Sequence, residues 1–501
     1  MREFFENKFV KWALGITGVL SVLLLIIGSF FNSMDVDSAI ILVEMERIAE
    51  GYIPYKTMHL NYPPLWFYIN VALKCLFHVP YGCYPFYLGV HWLYAIGCAS
   101  CLYYISRKWG ASKYHSAFVA WLFFIVMHWP QGNEVLFEIP SVFWGLLSIS
   151  FYLKWKESHP AWQIIVGAIA CCSFLTKQFG AGFLMLVLWL IVTSTSENKW
   201  KQMGYYLLGY CLPLLVCLAC WGTDIYRSIL FNGYGTDVMD AYWGRETTFA
   251  SKIARIWDNL FAFANRIIPV VYVALISLPF SFKQGKWRET LCCFFGIGGF
   301  SLQYFFVHGG LNHYMQYMIP FALLLIPIIL SLDLNKYVRA AVWVIIGWTT
   351  VLGMYSAYHN RVWKRYLHEG KRDYENQWKM GTQISNIVQD GETVFIPHGG
   401  ICYLYYTANL YPSCMAEIGY GVGPMEVDIE HAAKWVANTD YVLHFTRKMM
   451  YDLYQGKDFE YFYNDSIQQF VDQYPSDTFG TAVVLHYLNR PKLELESNRS
   501  N

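Results

Sequence analysis

A chain of 501 residues is long enough for several soluble domains, but 55% apolar, 19% aromatic and only 15% charged residues, with mean hydropathy +0.28, describe a protein whose main solvent is lipid. With 37 basic and 36 acidic side chains the formal charge is +1, so no global field attracts a polyanion and nothing points to nucleic acid as a partner.

Crossing a hydrocarbon core takes about 20 apolar residues, or fewer where the flanks snorkel. Such stretches fall near 10 to 31, 84 to 106, 114 to 129, 137 to 153, 162 to 176, 178 to 193, 203 to 221, 266 to 282, 290 to 308, 314 to 331 and 338 to 358. The expected fold class is an α-helical polytopic membrane protein of about 11 transmembrane helices. Arg2, Lys8 and Lys11 put the N-terminus in the cytoplasm, and residues 1 to 31 contain no small-residue cleavage site, so the first stretch is expected to be a retained anchor. Threading the spans from there makes 107–113, 154–157, 197–201, 283–288 and 336–339 cytoplasmic, and every one of these loops is basic. The same threading places 32–83, 130–136, 222–265, 308–312 and everything beyond about 358 outside.

The first outside loop, 32–83, holds two stretches that are apolar on one side only, 37–51 and 64–79, separated by a turn-rich segment. Both are expected to be helices, the second lying along the membrane interface. The transmembrane domain then spans 1–358. Residues 359–501 change to a charged, mixed composition, with strand character at 392–397, 440–445 and 481–488 and helical spacing over 374–388. They predict a small C-terminal α/β domain on the extracytoplasmic side. Most of the 13 cysteines lie in apolar runs, where they act as small hydrophobes, and the Cys98–Cys101 spacing is read as packing. Cys402 and Cys414 are close enough in a polar region to pair under oxidising conditions.

The unusual chemistry gathers in the outside segments. Asp35 and Asp37 follow the first span directly, and two carboxylates at a membrane surface can bind a divalent cation, act as general base or cap the next helix. Beyond them stand Gly51-Tyr52-Ile53-Pro54-Tyr55 and Asn61-Tyr62-Pro63-Pro64-Leu65. Further on come Gly132-Asn133-Glu134 and then Gly310-Leu311-Asn312-His313-Tyr314, which leads into Met318-Ile319-Pro320-Phe321. In this order and on a common side, the motifs resemble the C-type glycosyltransferase superfamily (GT-C), in particular the branch of the protein O-mannosyltransferases and the aminoarabinose transferases acting on lipid A. The resemblance covers about the first 330 residues. Family members often carry Asp-Glu where this chain has Asp37-Ser38, so a dyad here would use Asp35.

The resemblance implies transfer of a sugar from a polyprenyl-phosphate carrier to an acceptor hydroxyl on the extracytoplasmic face, by direct displacement with inversion. The implied partners are that donor, a lipid, glycan or protein acceptor, and the bilayer. Asp37, with Asp35 as runner-up, is the expected general base. Glu134, Lys177, Arg245, His308, His313, Tyr314 and Tyr55 form the candidate substrate-binding set, with the cations facing the carrier phosphate. Lys177 interrupts an otherwise apolar stretch from 162 to 192, which marks either a functional cation or a side chain snorkelling outward. No resident cofactor is expected, although a divalent cation at Asp35 and Asp37 stays open. Two other classes use lipid-linked sugars. A flippase or other transporter commonly shows repeat symmetry, and none is found in this sequence. A polysaccharide polymerase or ligase concentrates Arg and His in one large outside loop, as Arg227, Arg245 and Arg255 in 222–265 would allow. Compact loops favour a bacterial inner membrane.

Overall fold

The computed structural model describes residues 8–31, 34, 36–56, 60, 62–128, 134–223, 225, 268–306, 312–359, 363, 370–389, 391–396, 403–408, 410–412, 439–445, 472–479 and 483–488. Helix α1 (Lys8–Ser29) is followed by two shorter ones, α2 (Val36–Ala49) and α3 (Leu65–Leu76). Next come α4 (Tyr84–Lys108), α5 (Lys113–Met127), α6 (Glu138–Trp155), α7 (Gln163–Thr176), α8 (Gly182–Val192) and α9 (Lys199–Trp221). The bundle is completed by α10 (Ile268–Lys283), α11 (Trp287–Phe306), α12 (Ile319–Ser331) and α13 (Lys336–Met354). All the ranges expected to be apolar spans fall on helices, namely α1 and α4 to α13. Among the described residues four helices are long and apolar enough to cross a membrane, Tyr84–Lys108, Lys199–Trp221, His313–Ser331 and Lys336–His359, and several others are apolar but shorter.

Local signals set the boundaries. Ser112 Oγ accepts the His115 N–H at 3.2 Å to start α5, and Asn335 Oδ1 accepts those of Tyr337 and Val338 at 3.1 and 2.9 Å to start α13. Pro85 and Pro320 sit in the first turns of α4 and α12, where a missing N–H costs nothing. Helix α3 has 12 residues, about 18 Å of helix against a core about 30 Å thick. It buries Trp66, Phe67 and Asn70 on one side and leaves Leu76, at its end, and Phe77, just beyond it, exposed.

In lipid, apolar surface alone does not drive helices together, so close approach and interhelical hydrogen bonds must. Helices α6 and α7 are joined by a reciprocal bridge: Ser141 Oγ donates to the Ser173 carbonyl at 2.9 Å, and Ser173 Oγ to the Ser141 carbonyl at 2.7 Å. Helices α7 and α9 meet backbone to backbone. A Cβ on Gly167 would stand 2.0 Å from the Tyr206 carbonyl oxygen, and one on Gly209 the same 2.0 Å from that of Ile164. The indoles of Trp92 and Trp121 donate to Ser29 and Ser21 at 2.8 and 3.0 Å, tying α1 to α4 and α5. At the centre α12 packs against α4, α5, α10 and α11, with residues 319 to 329 all buried. Large apolar side chains such as Val19, Val216, Ile276 and Val344 are exposed on the outer helices, a belt suited to lipid.

Beyond the bundle lie α14 (Gly370–Ser385), β1 (Thr393–Phe395), α15 (Leu404–Thr407), β2 (Tyr411–Pro412), β3 (Tyr441–Phe445), β4 (Ser476–Phe479) and β5 (Val483–Tyr487). The strands form one sheet in the order β2-β1-β3-β5-β4, parallel where β1 meets β2 and β3, antiparallel from β3 through β5 to β4. The three segments expected to be strands are β1, β3 and β5. The helix expected over 374–388 is α14, which starts and ends earlier. The two unexpected strands are both at sheet edges: β2 is two residues ending in proline, and β4 is the polar SDTF. Cys402 and Cys414 lie outside the described residues, whereas Cys98 and Cys101 are free, buried packing residues on α4.

Candidate active site

Helix α7 ends at Thr176, and Lys177 takes an extended backbone before the short 3-10 turn Gln178–Ala181. Its side chain is 3% exposed and its ammonium pairs with Glu138, 1% exposed, in the first turn of α6. The outward-snorkelling reading of Lys177 is therefore corrected: an ammonium stays inside when a buried carboxylate meets it. His313, from the 3-10 segment Asn312–Tyr317 that leads into α12, places Nε2 3.7 Å from the same oxygen, Glu138 Oε1.

Aromatic rings close around this charge. Lys177 Nζ lies 4.4 Å from the ring centre of Tyr314, 5.3 Å from Tyr62 and 5.8 Å from Phe137, distances at which a cation is attracted by the ring face. Phe179 stacks on Tyr314 at 4.5 Å, and Tyr62 leans on Phe137 at 4.3 Å. With water held off, the charges of Glu138 and Lys177 act through a medium that screens them weakly.

The first loop reaches the same cluster through Tyr55. Its hydroxyl donates to the Tyr62 carbonyl at 2.5 Å, and its ring meets Trp221, at the end of α9, edge-on. Burial pushes the Tyr55 pKa well up, so the phenol remains a donor. Tyr55 adopts a left-handed backbone, φ +64°, strain of order 1–3 kcal/mol that its contacts must offset. Earlier in the loop, Glu46 on α2 is buried and fixed. Its Oε1 accepts the Gly82 N–H at 3.1 Å and the Tyr87 hydroxyl at 3.0 Å, while Oε2 pairs with Lys74 on α3.

The structure thus brings Lys177, His313 and Tyr314 into one cluster, with Tyr55 linked to it only through Tyr62, and Glu134 is wholly buried four residues before Glu138. Asp35, Arg245 and His308 lie outside the described residues, as does the side chain of Asp37, whose backbone is in the first turn of α2. Sequence reasoning missed Glu138 and Tyr62. Glu138 was findable, because a buried lysine needs a counter-ion and this acid interrupts an apolar run as Lys177 does. Among the described residues no three His, Cys, Asp or Glu side chains gather as a metal site would require.

No family model and no curated protein matches the chain. Solved structures do. ArnT from Cupriavidus metallidurans in the apo state aligns with a TM-score of 0.58 and 12% identity, over 96% of this chain and 98% of that one. The same protein bound to undecaprenyl phosphate gives 0.56 and 14%, over 95% and 98%. An oligosaccharyltransferase from Archaeoglobus fulgidus, tethered with an acceptor peptide containing the NVT sequon, gives 0.51 and 10%, over 97% of this chain and 75% of that one. At such identities the likeness is one of fold: the chain shares the overall fold of these three structures.

Proposed function

We propose that this chain is an integral membrane glycosyltransferase that moves a sugar from a polyprenyl-phosphate carrier to an acceptor hydroxyl on the extracytoplasmic face. One observation carries the reading. In a chain with this fold, residues singled out from distant motifs, Lys177, His313 and Tyr314, meet at one buried ion pair with Glu138, and Tyr55 bonds the main chain of Tyr62, whose ring faces the same ammonium. A neighbour of the same fold binds undecaprenyl phosphate, which makes a lipid phosphate the natural occupant to test.

In the proposed reaction Asp37 takes the proton of the acceptor hydroxyl as its oxygen attacks the anomeric carbon. The bond from that carbon to the carrier phosphate breaks, the configuration inverts, and the phosphate leaves with one more negative charge. Cations aimed at that developing charge lower the barrier. Lys177 fills this role with its position fixed by Glu138, and Arg245 and His308 are its proposed companions. Glu134, Tyr55, His313 and Tyr314 shape the donor site. The N-terminus is cytoplasmic, residues 359–501 are extracytoplasmic, and the membrane is the bacterial inner membrane.

The test offers native membranes a panel of undecaprenyl-phosphate monosaccharides and scores release of undecaprenyl phosphate. The wild-type chain turns over at least one donor. A general base contributes roughly 10²–10⁴-fold, so Asp37→Asn is slowed at least 100-fold while inserting normally. Wild-type turnover by Asp37→Asn removes the assignment of the base.

A further inference from the structure

The acid-bearing segment between α1 and α2 is held by a residue more than 300 positions away. Gln377, on α14, presents its amide to the main chain of Met34. Gln377 Oε1 accepts the Met34 N–H at 3.1 Å, and Gln377 Nε2 donates to the Met34 carbonyl at 3.2 Å. Both polar groups of one peptide residue are satisfied by one side chain, as a neighbouring strand would satisfy them. Met34 is buried, stands immediately before Asp35, and precedes Asp37 by three residues.

The same C-terminal unit touches the loop at a second place. The Tyr81 hydroxyl donates to the Leu410 carbonyl at 3.3 Å, and Tyr81 adjoins Gly82, whose N–H rests on Glu46 of α2. Helix α14 packs directly on Thr407, where a Cβ on Gly381 would stand 2.3 Å from the Thr407 carbonyl oxygen, and Leu410 is tied to the same short helix by its N–H to the Tyr405 carbonyl at 2.9 Å. Helix α2 is therefore gripped near its start by Gln377 and near its end through Glu46, both grips leading to α14 and its neighbours.

We propose that Gln377 is a positioning residue through which the C-terminal region sets the place of the general base; the inference rests on the reading of Asp37 as that base. An amide suits the task. It forms both hydrogen bonds without adding charge at Met34, whereas a carboxylate keeps only the acceptor half and brings a negative charge to the main chain three positions before Asp37, which raises the pKa of that acid.

The experiment uses the full chain, with Gln377→Ala, Gln377→Glu and Asp37→Asn compared side by side. Hydrogen–deuterium exchange is followed in peptides covering 32–38, and turnover is measured with whichever undecaprenyl-phosphate monosaccharide the wild type accepts. Gln377→Ala is expected to speed exchange at the Met34 amide at least 10-fold and lower kcat about 10-fold, with KM for the donor within about twofold, since one net hydrogen bond is worth up to about a factor of ten. Gln377→Glu is expected to keep part of the protection and move the acid limb of the pH–rate profile up by about half a unit. An acid limb that stays in place in Gln377→Glu overturns the proposal, even if Gln377→Ala is slow, because lost packing alone does not titrate. Unchanged exchange in Gln377→Ala overturns it as well. If these negatives arise while Asp37→Asn is inactive, the base assignment survives and only the clamp is lost. Turnover by Asp37→Asn at the wild-type rate removes the base itself and the clamp's purpose with it.

Discussion

Glu138 and Lys177 are a stability problem and, in the proposed reaction, an asset. Removing one partner of a buried ion pair leaves an uncompensated charge, which costs about 3–5 kcal/mol, while replacing both by apolar groups is often neutral. Glu138→Gln alone should therefore lower the melting temperature in detergent markedly. The double variant Glu138→Leu with Lys177→Met, which replaces both charges by apolar groups, should regain most of that loss and still be inactive in sugar transfer. A double variant that melts like the wild type and also turns over donor would mark the pair as purely structural. Lys177 was visible in the sequence because a charge in an apolar run is an anomaly at any position. Glu138 hid because an acid in the first turn of a helix has an everyday role, offsetting the helix dipole. Tyr62 hid inside a proline-rich turn, and nothing local says that its ring faces a cation 115 residues later.

Helices α7 and α9 cross where neither can carry a side chain. Gly167→Ala and Gly209→Ala each force a methyl against a carbonyl oxygen, and overpacking of this kind costs about 1–3 kcal/mol. Gly204, also on α9, has no atom within 4 Å of its would-be Cβ, so Gly204→Ala is the matched control. Melting curves should separate the two crossing variants, both lowered, from Gly204→Ala, unchanged or slightly raised by better helix propensity. Equal effects at all three positions would mean that the close crossing does not govern stability. Helix placement was legible because lipid imposes one rule on every span. The sheet was half legible: β1, β3 and β5 are apolar and announce themselves, whereas β2 and β4 occupy edges where polar residues and proline are tolerated. Their pairing is set by neighbours distant in sequence, which no local pattern encodes.

The molecule joins a lipid-facing bundle to a sheet-bearing unit, and the candidate site draws on the first loop, α6, the end of α7 and the segment entering α12. A ligand that touches several of these at once should stabilise the whole. Undecaprenyl phosphate at about 100 times its Kd is expected to add about 2.7 kcal/mol, read as a rise in melting temperature. Asp37→Asn should keep that rise, because the base acts on the acceptor, and Lys177→Met should lose most of it. No shift in the wild type would count against a lipid-phosphate site. The order of the motifs was enough to indicate this architecture, since loop charge and motif sidedness agree along the chain. Their convergence on one ammonium was not legible, because it depends on how the helices pack.

Burial of α12 on every side has a consequence for how the protein is made. Residues 319 to 331 leave the ribosome after α1 to α11, so the faces of α4, α5, α10 and α11 that pack on α12 lack their partner until it arrives. His313 and Tyr314 travel at the head of this helix and arrive at Glu138 and Lys177 as it enters. The last helix to fill the core thus also delivers the last pieces of the cluster, and a nascent chain cut short of it has neither a finished interior nor a finished cluster.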